Sequence, residues 1–276
     1  FGDLMPLIIP ANSAVDGGYN VDNSCIFVPG AKIVNTFGST TNRRTYTVSI
    51  WIKKCSTTTE QNFIFAGDLG GSHPYFDARF DDTQIINWYG SDGSGNEEFN
   101  LKTNRVFRDP NSWYHIILAV DTTQGTESNR LKLYVNGVQE TSFSKANYPD
   151  QNFDTSFNVS GYESSYGAIR NNTPNYDGYY SEIVLIDGQQ LDPTSFGEFD
   201  EDSGIWKPIN VSGLTFGDNG YYLDFEDSSD LGQDVSGNDN DFSLTNIAST
   251  DQSTDTCTNN SATWNSLVHF STSATF

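Results

Sequence analysis

The sequence predicts an all-β protein, a sandwich or barrel of short strands. Three observations carry this. Gly, Ser, Thr, Asn and Asp are abundant, aromatics are frequent, and no long stretch shows helical apolar spacing. The run Trp113-Tyr-His-Ile-Ile-Leu-Ala-Val-Asp121 is β-branched and aromatic, and apolar on both faces after His115. That suits a strand covered on both sides. Asn129-Arg-Leu-Lys-Leu-Tyr-Val-Asn-Gly137 then alternates, with Leu131, Leu133 and Val135 on one face and Lys132, Tyr134 and Asn136 on the other. Asn136-Gly137 tolerates positive φ at both positions, so it predicts a type I′ hairpin, with Val138 to Phe143 returning as the partner strand.

Taken in order, Phe1 to Ser13 reads as an extended arm. Leu4, Met5, Leu7, Ile8 and Ile9 are apolar, and Pro6 and Pro10 oppose helix and central-strand pairing. Such an arm is expected to bury itself against another subunit or against its own C-terminal region. Tyr19 to Val28 is a first strand. Thr45 to Lys53 is a clear one, with Tyr46, Val48, Ile50 and Ile52 on one face and Thr47, Ser49, Trp51 and Lys53 on the other. Phe63 to Ala66, Tyr75 to Phe80, Gln84 to Tyr89 and, weakly, Glu98 to Asn104 follow. Tyr148 to Tyr166 is polar loop with one strand. Tyr176 to Ile186 is strongly strand-like and ends in the Asp187-Gly188 turn. The one helix start is at Leu191-Asp-Pro-Thr, with Asp192 as cap and Pro193 at the first helical position. From Trp206 the character changes: a strand at Tyr221 to Phe225, an acidic loop at Asp227 to Asp241, a strand at Phe242 to Ile247, then a Ser/Thr/Asn tail. The expected organisation is an arm at 1–14, a main domain at 15–205 and a C-terminal β subdomain, or the start of a second module, at 206–276.

Acidic residues outnumber basic ones 36 to 14, and the formal net charge of −22 argues against nucleic-acid binding and anionic membrane surfaces. No stretch has the apolar length to span a bilayer. Phe1 to Ala14 is too short and Pro-broken for a signal segment, and the first residue, Phe1, suits a processed or trimmed product. Cys25, Cys55 and Cys257 match no zinc spacing. Three free thiols are expected, with a Cys25–Cys55 bridge as the alternative. Sequons at Asn158, Asn171, Asn210 and Asn259 are common by chance in so Asn- and Ser-rich a chain.

Tyr46-Thr-Val-Ser-Ile-Trp-Ile-Lys53, the Trp113–Asp121 strand, Leu131-Lys-Leu-Tyr-Val-Asn-Gly137 and Tyr176 to Ile186 fall in an order that resembles a laminin-G-like domain. The resemblance covers about residues 15 to 200 and implies the concanavalin-A-like jelly roll, two antiparallel sheets packed face to face. Phe107-Arg-Asp-Pro-Asn-Ser-Trp-Tyr-His-Ile116, Asn152-Phe-Asp-Thr155, Asp187-Gly-Gln-Gln-Leu-Asp-Pro-Thr-Ser-Phe-Gly-Glu198 and Asp234-Val-Ser-Gly-Asn-Asp-Asn-Asp-Phe242 further resemble laminin-G-like structural proteins of marine bacteriophages. The chain departs from that pattern at Cys257, where such proteins often carry Pro, and at Ser261, where they often carry Phe. Related chains usually continue further, so truncation at Phe276 is expected. This resemblance implies a non-enzymatic virion protein, a head decoration or fibre component, made in the host cytoplasm and displayed on the virion surface. Other virion proteins, further copies of the chain and host glycans would be its partners. The alternative is a secreted bacterial carbohydrate-binding module or adhesin, and a glycan hydrolase is a third class.

Retaining glycosidases place two carboxylates roughly 5 Å apart on one face. The nearest such pair here is Asp224 and Glu226, two apart on the Tyr221–Phe225 strand, which an outward acidic edge also explains. His115 reads as a satisfied core histidine, and His73 and His269 are scattered. No nucleophile elbow or phosphate loop is present. Asp234, Ser236, Asn238 and Asn240 alternate oxygen ligands as a calcium loop does, though no bidentate Glu follows. Asx turns use the same residues without metal. No other cofactor is implied. Trp88 and Tyr89 beside Asp92, with Tyr162 and Tyr166 in a later loop, have the ingredients of a glycan site: rings to stack on sugar faces and polar partners for hydroxyls. Ordinary sheet aromatics beside a turn look the same.

Overall fold

The computed structural model describes residues 18–57, 60–68, 74–110, 112–169, 173–174 and 176–260. The arm carrying Leu4, Met5, Leu7, Ile8 and Ile9 lies outside the described residues, as do His73, Asn171, His269 and the stretch 261–276. The strands, in chain order, begin with β1 (Ser24–Phe27), β2 (Lys32–Thr36), β3 (Thr45–Lys54), β4 (Gln61–Gly67), β5 (Tyr75–Phe80), β6 (Ile85–Ser91) and β7 (Glu97–Val106). Next come β8 (Tyr114–Asp121), β9 (Leu131–Val135), β10 (Val138–Gln139), β11 (Phe143–Asn147), β12 (Glu163–Tyr166), β13 (Ala168–Ile169) and β14 (Thr173–Pro174). The last are β15 (Gly178–Asp187), β16 (Gly197–Phe199), β17 (Trp206–Pro208), β18 (Tyr221–Leu223), β19 (Ser243–Thr245) and β20 (Gln252–Ser253). Helix is confined to three-residue 3-10 turns at Glu127–Asn129, Pro193–Ser195 and Ser249–Asp251 among the described residues. Asp192 precedes Pro193 as expected, but its side chain makes no cap bond and accepts Tyr134 OH instead.

Two antiparallel eight-stranded sheets form a jelly-roll sandwich. Sheet 1 runs β10-β9-β8-β3-β15-β1-β20, with β18 added on β15; sheet 2 runs β11-β7-β6-β5-β4-β12-β2-β19. The expected faces of β3 hold: Tyr46, Val48, Ile50 and Ile52 enter the core between the sheets, with Phe63, Phe76, Trp88 and Leu101 opposite. The β8–β9 pair is antiparallel, and Asn136 and Gly137 take φ of +50° and +77°, which is the type I′ hairpin the sequence predicts. The return strand is shorter than expected. Only Val138 and Gln139 pair with β9; the chain then crosses to sheet 2, where Phe143–Asn147 pairs with β7. β2 was not foreseen in the sequence, because its five residues KIVNT bury little beyond Ile33 and Val34 borders a polar surface.

The described part of the C-terminal segment, 206–260, contributes to both sheets. β18 pairs with β15, β19 with β2 and β20 with β1. Tyr221, Leu223, Phe225, Leu231 and Phe242 share the main core. Together with Phe196, this segment also covers the outer face of sheet 1, which explains why β8 is apolar on both sides. Ile116, Leu118 and Val120 face the main core, whereas Ile117 and Ala119 pack under Phe196, Val211, Phe216 and Tyr222. Further along, Trp51, Trp113 and Trp206 form a third cluster. His115 sits between Trp51 and Trp206, with ring centroids 4.6 and 6.0 Å away. Trp206 Nε1 donates to His115 Nδ1 at 2.8 Å, so the imidazole proton is on Nε2 and is donated to Ser49 Oγ at 2.7 Å. Burial pushes this histidine down to about 3 and keeps it neutral.

Candidate functional site

The outer face of sheet 2 differs in kind. In β5, Phe76, Ala78 and Phe80 point into the core, so Tyr75, Asp77 and Arg79 point out. In β6, Ile86 and Trp88 point in, so Asn87, Tyr89 and Ser91 point out. The register sets Asp77 opposite Tyr89, and Tyr89 opposite Asn100 of β7. On the other side Asp77 faces Phe65 of β4, Phe65 faces Ser165 of β12, and Ser165 faces Val34 of β2. One row of side chains therefore crosses the sheet. At about 4.8 Å per strand, Tyr89 to Val34 spans roughly 19 Å.

Aromatic rings lie along this row. Phe65 and Tyr75 stack at 6.0 Å, Tyr75 and Tyr89 lie 5.8 Å apart, and the Arg79 guanidinium sits 5.9 Å from the Tyr89 ring. Between the rings are buried polar groups. Asp77 is only 2% exposed, Asn87 3%, Asn100 5% and Ser165 0%. Arg79 Nη1 donates to Asp77 Oδ2 at 2.6 Å and its Nε lies 3.2 Å from Glu60 Oε2. Burial nevertheless pushes the Asp77 carboxyl up to about 7, against the pull of Arg79. Among the described residues, Asp77 Oδ1, Asn87 Oδ1, Asn100 Oδ1, Glu163 Oε2 and Ser165 Oγ have no hydrogen-bond partner, and neither does Arg79 Nε, although it lies close to Glu60. Each such atom costs about 1–3 kcal/mol when buried; Phe65 in the same row is also fully buried, and Tyr75, Arg79 and Tyr89 are its partly exposed members. At the far end of the row a cleft of about 460 Å³ is lined by Lys32, Val34, Thr36, Glu163, Asp241 and Ser243.

Of the site residues expected from the sequence, only Tyr89 belongs to this surface. Trp88 and Tyr166 are fully buried in the core. Alternation forbids Trp88 and Tyr89 from facing the same way, and the Tyr166 hydroxyl is tied to Tyr221 at 2.8 Å. Asp92 closes the β6–β7 turn, accepting from Ser94 N at 2.7 Å and Asn96 Nδ2 at 2.6 Å, and these bonds hold its carboxyl below its ordinary range. Tyr162 is half-buried in the turn before β12, where its carbonyl accepts from Phe37 N. Phe65, Tyr75, Asp77, Arg79, Asn87 and Asn100 were missed. The alternation in Tyr75-Phe-Asp-Ala-Arg-Phe80 was the signal that could have found three of them.

In the Asx-rich loop, Asp234 Oδ1 accepts from Tyr222 N and Ser236 N, and its Oδ2 from Ser236 Oγ and Asn240 N. The Asn238 and Asn240 amides donate to the carbonyls of Gly217, Asp218 and Gly220. These side chains lock the loop against the 217–220 turn. Asp224 and Glu226 do not share a strand face: β18 ends at Leu223, Phe225 takes φ +61°, and Asp224 Oδ1 accepts from Glu226 N. Behind them Glu182, in a bulge at φ +49°, accepts from Tyr222 OH at 2.7 Å and Tyr19 OH at 3.3 Å, and burial pushes it up to about 8. Among the described residues Cys25, Cys55 and Cys257 form no disulfide; Cys25 lies in the main core and Cys257 against the tryptophan cluster. Asn158 is fully buried, its amide donating to Asn42 O and Asp187 Oδ1, whereas Asn210 and Asn259 are exposed. Among the described residues no helix is long and apolar enough to cross a membrane.

A search of curated protein sequences finds no match. Among solved structures, the chain is similar to the CBM40 of Ruminococcus gnavus IT-sialidase, at 15% identity and a TM-score of 0.46, over 63% of this chain and 96% of that one. It is similar to a heptameric SAP-like pentraxin of Limulus polyphemus, at 13% identity and 0.42, over 62% and 78%. It is also similar to domains LG4-5 of the mouse laminin alpha1 chain, at 16% and 0.42, over 69% and 48%. The Laminin_G_3 family model, described as the concanavalin A-like lectin/glucanases superfamily, matches residues 30–189. That stretch is more than half of the chain and takes in β2 to β15, and the chain belongs to this family.

Proposed function

We propose that the chain is a non-catalytic glycan-binding protein and that the outer face of sheet 2 is its binding surface. The observation that supports this is the pair of partly exposed rings Tyr75 and Tyr89, 5.8 Å apart, with the Arg79 guanidinium beside Tyr89, on a face whose buried polar atoms lack partners among the described residues. A sugar offers an apolar face for the rings and hydroxyls for the polar atoms. Family membership supports the reading, since the superfamily includes lectins. Its glucanases keep the non-catalytic part a proposal. Screening the chain on immobilised glycans should give binding, and Tyr89→Ala should weaken it at least about tenfold, or about 1.4 kcal/mol, with the melting temperature nearly unchanged. Full affinity in Tyr89→Ala would overturn this placement of the site.

The site of action is proposed from sequence alone. The phrases at 107–116, 187–198 and 234–242 support display on a bacteriophage particle, with binding directed at host glycans. The apolar arm at 1–10 is proposed as the anchor to another virion protein or another copy. Deleting it should release the chain from its assembly; assembly unchanged by the deletion would refute that role. A secreted bacterial carbohydrate-binding module would use the same surface.

A further inference from the structure

Where β3 ends, on the covered outer face of sheet 1, a lysine, an aspartate and an asparagine meet. β3 alternates, so Lys53 shares this face with Thr47, Ser49 and Trp51. Lys53 Nζ donates to Asp255 Oδ2 at 2.7 Å and to Asn260 Oδ1 at 3.2 Å. Trp113 Nε1 donates to the other Asp255 oxygen at 3.1 Å. Tyr179, opposite Lys53 in β15, has its ring centroid 5.7 Å from Nζ. Lys53 and Asp255 are buried, whereas Asn260 is exposed. The segment carrying Asp255 and Asn260 is pinned on both sides. Ser24 Oγ donates to Asp255 O at 2.7 Å, Thr258 Oγ1 donates to Val21 O at 3.0 Å, and Asn259 Nδ2 donates to Thr254 O at 3.0 Å. An amine, a carboxamide carbon and a carboxylate so placed are the reactants of an amide transfer. Asn260 Cγ is one carbonyl bond of about 1.23 Å from Oδ1, so it lies within about 4.4 Å of Nζ, near the attack separation of about 3–3.5 Å.

We propose that Lys53 and Asn260 join in an intramolecular isopeptide bond, with Asp255 as the proton carrier. The Asp255 carboxylate takes a proton from the Lys53 ammonium, and the neutral amine attacks Cγ of Asn260. The Nζ–Cγ bond forms and the Cγ–Nδ2 bond breaks. Nδ2 takes one proton from the attacking nitrogen and leaves as ammonia, so no oxidant or further reactant is consumed. Asp255 ends protonated; it donates to the new amide oxygen while still accepting from Trp113 Nε1. The reaction replaces a buried ion pair, which carries a desolvation cost, by neutral groups. The exposure of Asn260 gives the ammonia a way out. The cross-link ties β3, in the middle of sheet 1, to the segment that follows β20. The loop it closes, from 53 to 260, takes in the whole cover, and so long a loop strongly restricts the unfolded chain.

The test is the intact mass of the full chain, followed by sequencing of its proteolytic fragments. The folded chain should be lighter than its sequence by one ammonia, about 17 Da. A digest should contain a branched peptide joining the stretch around Lys53 to the stretch around Asn260. That peptide separates the cross-link from an asparagine that cyclises with loss of the same mass. Asn260→Ala, at an exposed position, should fold, keep the full mass and melt several degrees lower. Asp255→Asn keeps the shape of the side chain and should leave the chain uncross-linked, with its folding checked by a cooperative thermal transition. A cross-link formed as completely in Asp255→Asn would remove Asp255 from the reaction. A folded parent chain of full mass that yields no branched peptide would overturn the proposal.

Discussion

The two sheets have eight strands each, yet their outer faces have opposite fates. On sheet 1 the segment after β15 folds back as a cover. Under it Thr47, Ser49, Lys53 and His115 are buried and bonded: both His115 nitrogens are used, Thr47 Oγ1 donates to Gln189 O, and Lys53 pairs with Asp255 at 2.7 Å. On sheet 2 equally buried groups, Asp77, Asn87 and Asn100, keep an oxygen with no partner. A cover satisfies the polar groups beneath it and turns a sheet face into structure. On sheet 2 the unmatched atoms lie beside the partly exposed Tyr75, Arg79 and Tyr89, which is where binding is proposed.

The sharpest way to break this contrast is Trp206→Ala. Trp206 bridges the cover to sheet 1 and donates to His115. Its removal should cost about 3–5 kcal/mol in urea unfolding; a loss below about 1 kcal/mol would mean that the cover is not integral to the fold. The pH profile comes next. His115 is held near 3, below its ordinary 6.5, so the unfolded chain binds more protons in that window and stability falls as pH drops through it. Glu182, raised to about 8, and Asp77, raised to about 7, act in the other direction. The folded chain binds more protons there, so their stabilisation is present below the ordinary carboxylate range and is lost as pH rises through 7 to 8. Melting temperature should peak in mildly acidic solution, and Glu182→Gln should flatten the alkaline limb; an alkaline limb unchanged in that variant would show that Glu182 is ionised in the fold.

A smaller loss is expected at the hairpin tip. Gly137 has φ +77°, and a Cβ there would meet the Trp206 ring at 2.3 Å. Gly137→Ala should cost about 1–2 kcal/mol from the backbone alone, with more from the ring's displacement; a neutral effect in thermal unfolding would mean that the hairpin does not rest on Trp206. The smallest effect belongs to the outer face of sheet 2. Tyr89→Ala should change stability by less than about 1 kcal/mol while weakening binding, and a large stability loss would assign Tyr89 to the core instead.

Much of this contrast was legible in the residues. The double-faced apolarity of Ile116 to Val120 announced a strand covered on both sides, and His115 beside it was readable as a satisfied core group. The Asn136-Gly137 turn needed only the local φ preferences of two residues. The site was less legible. Trp88 and Tyr166 have the composition of a sugar platform, but strand parity turns both inward, and Tyr89 alone stays outside.

What the sequence determined by itself is therefore local: strand identity from period-two patterning, the hairpin from turn chemistry, and the long-range charge that disfavours polyanions. The tertiary structure alone decided which segment covers which face. It brought Trp206 to His115 across 91 positions and put Ser165 in one row with Asp77 and Tyr89. The reason is physical. Pairing register and the packing of one layer on another arise between segments far apart in the chain, where no local propensity specifies the partner.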